Sequence, residues 1–174
     1  EKGRNMPFVG IIAKESESNF IKNEVLKNSS LKFEFVNINR KSVQNVKNIR
    51  FETIIINNEI SDFLNVSKYL EELIINAKYI IVNSDIIKNI NILKQYNSNI
   101  ITYGLNQKAM ITISSIKNEN ILIFIQNKLK NINNDEIEEQ EVNVKINKNS
   151  LKKVSNSMAI FTILLIYGDF LKKI

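Results

Sequence analysis

The chain has 174 residues, 44% of them hydrophobic, with a formal net charge of +6. That length and apolar share suit one folded domain with a sizeable core and argue against disorder throughout. With no Cys and no His, it has no disulfide framework, thiolate nucleophile, Cys/His zinc site or imidazole base.

Residues 1–6 read as a loose tail, and residues 7–174 as a single α/β domain. Pro7 opens the first predicted strand, where a missing N–H is tolerated, and FVGIIAK is almost wholly apolar. Phe20, Val25 and Leu26 then recur at helical spacing, with Ser16 or Ser18 as candidate N-caps. Leu31, Phe33 and Phe35 alternate as in a strand, and FETIIINN is a further buried-strand run. Residues 61–77 form the clearest helix, with Ser61 as N-cap and an apolar stripe of Phe63, Val66, Tyr69, Leu70 and Leu73.

Strand, helix and strand follow in KYIIVNSD, IIKNINILKQYN and NIITYGLN. Short apolar strands separated by amphipathic helices predict a parallel sheet covered on both faces. After Gly104 the rhythm changes. MITISSI and NILIFIQ read as a hairpin, residues 127–140 as a polar excursion, and EVNVKI as an antiparallel edge strand. The closing segment from Ser150 is a strongly apolar helix. The fold class is therefore α/β: a mostly parallel, Rossmann-like sheet of five or six strands, helices on both faces, and an antiparallel extension near the C-terminus.

Lys and Arg are scattered along the chain rather than clustered, which argues against nucleic-acid binding. No signal-peptide pattern is visible. The longest apolar run, residues 158–167, is half the roughly 20 residues a membrane span needs, so a soluble cytoplasmic protein is expected. Its residues Phe161, Ile163, Leu164, Leu165, Ile166 and Tyr167 exceed what one buried helix stripe requires. Either the sheet covers them or they form an interface for a protein partner or a homodimer.

The blocks IIVNSD, IITYGLN and ITISSI, in that order, resemble the second half of the central domain of Mur ligases, the ATP-dependent enzymes that build peptidoglycan precursors. Asn83 and Asp85 match the polar turn of that domain, Tyr103 and Gly104 its Tyr-Gly turn, and Asn156 and Ala159 the opening of its closing helix. Ile86 replaces the turn's second Asp, and Ser150, Lys152 and Lys153 replace the Gly, His and Asn of the helix pattern. The family's phosphate loop has no counterpart. VGIIAKESESNF has its one Gly inside the strand, lacks a Lys-Ser or Lys-Thr step, and carries Glu15 and Glu17, which repel polyphosphate. The family's C-terminal domain has no counterpart either.

Candidate ligand-binding residues are Lys14, Asn58, Asn83, Asp85, Tyr103 and Asn156. Asn83 and Asp85 stand where open α/β sheets bind ligands, although the same pair also makes an Asx turn. Asp135, Glu136, Glu138, Glu139 and Glu141 read as a solvated loop. No catalytic residue, metal site or cofactor is assigned. The resemblance implies a catalytically inactive Mur-ligase-like binding or scaffold module related to the cell envelope. The alternative is a small-molecule or nucleotide-binding protein, or weak enzyme, using a strand-end cleft around Lys14, Asn58, Asn83 and Tyr103.

Overall fold

A computed structural model describes residues 6–60, 67–87, 93, 99–117, 120–145 and 154–169. Its elements in chain order are β1 (Phe8–Ile12), α1 (Glu15–Asn28), β2 (Glu34–Asn37), β3 (Thr53–Ile56), α2 (Ser67–Asn76), β4 (Tyr79–Asn83), β5 (Asn99–Tyr103) and β6 (Ile111–Lys117). β7 (Asn120–Ile125), β8 (Leu129–Lys130), β9 (Glu136–Ile137), β10 (Gln140–Lys145) and α3 (Val154–Ile166) complete it.

Eight strands join in one sheet of order β10-β7-β6-β5-β4-β3-β1-β2. From β2 to β6 every neighbouring pair is parallel, whereas β6–β7 and β7–β10 are antiparallel. This is the expected architecture, with more strands than the expected five or six. The hairpin and the edge strand at β10 both fall where the β-branched runs place them. β3 and β4 are buried along their whole length, as strands covered on both faces must be.

The two faces are packed differently. On one, Ile12, Ile54, Ile56, Ile80 and Val82 meet Leu70, Leu73 and Ile74 of α2. On the other, Val9, Ile11, Ile55, Ile81 and Ile101 meet Ile21 and Val25 of α1 and nearly all of α3. The predicted caps of α1 are not used: Lys14 occupies the N-cap position and no side chain bonds there. Several expectations fall outside the described residues: nearly all of the tail over 1–6, the start of the second helix, with Ser61, Phe63 and Val66, most of the helix over 86–97, and the start of the closing helix at Ser150.

α3 resolves the question its sequence poses. Phe161, Ile163, Leu164, Leu165, Ile166 and Tyr167 are all buried by the protein's own chain. The sheet covers one side and α1 another. The remaining side is met by the segment expected to be a merely polar excursion, which forms the β8–β9 ribbon and sends Leu129 and Ile137 into the same core. The Ile132 N–H donates to the Ile166 carbonyl at 2.9 Å, pinning that cover to the end of the helix. The surplus apolar surface that suggests a homodimer or partner interface on this helix is thus used up within the chain.

α3 also ends earlier than its composition suggests. Gly168 takes φ +72, its N–H donates to Leu165, and the Asp169 N–H donates to Leu164. That is a Schellman stop, for which glycine is favoured because the left-handed conformation crowds a Cβ. Asp169 then receives the hydroxyls of Ser29 and Ser30, the latter at 2.6 Å, tying the end of α1 to the end of α3. Among the described residues no helix is long and apolar enough to cross a membrane.

Candidate functional site

β1 lies between β2 and β3, so the winding of the sheet reverses there. In open α/β sheets the crevice at such a switch point, at the carboxyl ends of the strands, is where ligands bind. Lys14 follows β1, Asn57 and Asn58 follow β3, Asn83 ends β4 and Tyr103 ends β5. The first turn of α3 brings Ser155 and Asn156 to the same edge.

What converges there is a closed hydrogen-bond network centred on Asn57. Its Oδ1 accepts the Tyr103 hydroxyl at 2.6 Å, the Asn83 Nδ2 at 2.9 Å and the Ser155 hydroxyl at 2.9 Å. Its Nδ2 donates to the Asn156 Oδ1 at 2.7 Å. The second proton of Asn83 goes to the Ser155 Oγ at 2.7 Å, and Asn83 Oδ1 accepts the Asp85 N–H at 3.0 Å. Asn57, Asn83, Tyr103 and Asn156 are all buried. Buried amides left unpaired cost about 1–3 kcal/mol each, so this mutual satisfaction holds the five side chains in one arrangement.

Tyr103 donates its proton to Asn57. Burial pushes its phenol far above the ordinary range, and the nearby Glu17 and Asp85 carboxylates push the same way, against a smaller opposing effect of the Ser155 hydroxyl. It therefore stays neutral and cannot serve as a general base.

Asp85 faces a neighbouring task. Its Oδ2 accepts the Leu105 N–H at 2.7 Å, and its Oδ1 accepts the Asn106 N–H at 3.1 Å and the Asn106 Nδ2 at 2.8 Å. Ser84 adds a bond to the Tyr103 carbonyl at 3.1 Å and accepts from Asn106 at 2.7 Å. Gly104 sits beneath this bracket: a Cβ there would lie 2.7 Å from Asp85 Oδ1 and 2.8 Å from Ser84 Oγ. The Asn-x-Asp turn and the Tyr-Gly turn of the sequence are thus two halves of one bracket.

Of the six predicted ligand-binding residues, the structure gathers Asn83, Tyr103 and Asn156 around Asn57, with Asp85 bonded to Asn83 through its backbone. Lys14 and Asn58 stand apart. Lys14 is exposed, and among the described residues the Asn58 Oδ1 accepts the Glu59 N–H at 2.9 Å. Asn57 and Ser155 were not singled out from the sequence. Asn57 adjoins Asn58 and Ser155 adjoins Asn156, and only at the end of β3 does the neighbour take the expected residue's place. Among the described residues no group of three or more His, Cys, Asp or Glu stands close enough to hold a metal ion. Neither a protein-family model nor a curated protein matches this chain.

Proposed function

We infer that the chain is a catalytically inactive, Mur-ligase-like domain that serves as a binding or scaffold module related to the cell envelope. The observation that carries this reading is the closed network around Asn57. Among the described residues, Asn57, Asn83, Tyr103, Ser155 and Asn156 at the carboxyl edge of the sheet are bonded to one another and Asp85 to backbone, while the candidate residues Lys14 and Asn58 stand outside that network. Glu15 and Glu17 in the first turn of α1 support it, because a phosphate at that helix start would meet two negative charges in place of a Gly-rich cradle. Gly10, the one glycine nearby, lies within β1 and is buried.

The alternative of a small-molecule or nucleotide site in the strand-end cleft has less to work with, since Asn83 and Tyr103 are buried and already paired. Calorimetric titration with Mg-ATP, a UDP-sugar and Mg²⁺ alone tests the choice. No saturable binding is expected. A micromolar Kd for Mg-ATP that is lost in Lys14→Ala would replace the scaffold reading with a nucleotide site.

A further inference from the structure

A cavity lined by described residues lies at the opposite edge of the sheet, where the parallel strands begin. It has a volume of about 510 Å³, within the roughly 300–1,000 Å³ of small-ligand pockets. Leu31, Ile132 and Tyr167 supply apolar wall. The Tyr167 hydroxyl is engaged in a 2.9 Å bond with Thr53 Oγ1. Ser30 and Asn133 add polar groups, and Lys32 and Glu52 add one charge of each sign.

Those two charges come from different walls. Lys32 precedes β2 and Glu52 precedes β3, and β1 runs between these strands. Two strand spacings of about 4.8 Å place the two backbones about 10 Å apart. Glu52 is also approached by Lys78, but at 4.0 Å with both side chains partly exposed. Exposed pairs of that kind are weak, so an incoming ammonium competes with it readily.

We propose that this amino-edge cavity binds a small zwitterion whose ammonium and anionic groups are separated by an apolar stem. Its ammonium pairs with Glu52, its anionic end with Lys32, and its stem lies along Leu31, Ile132 and the Tyr167 ring. The site is independent of the strand-end edge and of any relation to Mur ligases, so it stands or falls separately from the scaffold reading.

The test uses 6-aminohexanoate as probe, with hexylamine and hexanoate as single-charge controls, on the full chain by calorimetry and amide NMR. Saturable binding of 6-aminohexanoate is expected, about tenfold tighter than either control. Glu52→Gln and Lys32→Met are each expected to weaken it about tenfold, with amide shifts centred on Leu31, Ile132 and Tyr167. Melting of each variant near the parent temperature confirms that it folds. The proposal is overturned by an absence of saturable binding, by binding that survives both substitutions, or by shifts centred on Asn57 and Asn83.

Discussion

The side-chain oxygen of Asn57 receives the hydroxyl of Tyr103 at 2.6 Å although the two residues are 46 positions apart in sequence. The bond joins the ends of β3 and β5 across the intervening β4, whose last residue, Asn83, donates to the same oxygen. Three strand ends and the first turn of α3 are therefore registered by a single amide.

Asn57→Ala removes an acceptor used three times and a donor used once, leaving buried partners unpaired. A loss of about 2–4 kcal/mol in unfolding free energy is expected, against about 1 kcal/mol for Tyr103→Phe, which removes one hydroxyl. Chemical denaturation of the two variants checks the order. Equal effects would mean that Asn57 is not the hub.

Gly104→Ala forces a methyl group against Asp85 and Ser84. Denaturation is expected to show a cost of about 1–3 kcal/mol, as for other overpacked sites. Asp85→Ala relieves the Asp85 part of that clash, leaving the contact with Ser84, while losing its own bonds to the turn. The double variant should consequently be less destabilised than the sum of the two singles, by about 0.5 kcal/mol or more.

Ile81 lies in β4 between β3 and β5 and is fully buried. Ile81→Asp places an unpaired charge in the middle of the sheet, and loss of the cooperative melt is expected, measured by circular dichroism. A variant melting close to the parent would contradict this strand order.

Asp169 makes the protein sensitive to acid. Burial by itself would raise its carboxyl, yet the hydroxyls of Ser29 and Ser30 and the backbone N–H groups of Leu31 and Ser30 hold it below the usual carboxylate value. A depressed folded value means that the contribution is complete above the unfolded value of about 4 and disappears as pH falls through the folded one. Between about pH 5 and pH 2, the parent should therefore lose stability more steeply than Asp169→Asn. Parallel curves of unfolding free energy against pH for the two proteins would refute it.

Tyr167 behaves oppositely. Burial raises its phenol, an effect that the Thr53 bond partly offsets and that Glu52 and Tyr79 reinforce. Its contribution is fully present below the ordinary phenol value of about 10 and is lost progressively as pH rises from there through the higher folded value. Titration by ultraviolet absorbance should show fewer phenolates at pH 11 in the folded chain than in the same chain unfolded.

The amino-acid pattern by itself determined the class of fold and most of its elements. Runs such as residues 54–56 and 80–82 are apolar at consecutive positions because both faces of a parallel strand are covered, and that signature needs no tertiary information. The near-complete apolarity of α3 likewise demanded burial on more than one side. What covers it was not readable, because Leu129 and Ile137 sit in a charged stretch without periodicity. They act together only once β8 and β9 pair and set them opposite each other. At the end of β3 the residue that joins the network differs from the expected one by a single position, for the same kind of reason. In the pair Asn57–Asn58 the chemistry is identical, and only the sheet decides between them. The Asn57 N–H donates to the Ile12 carbonyl at 2.8 Å, which extends the β3 pairing by one residue and turns that amide inward, while Asn58 is left to the loop.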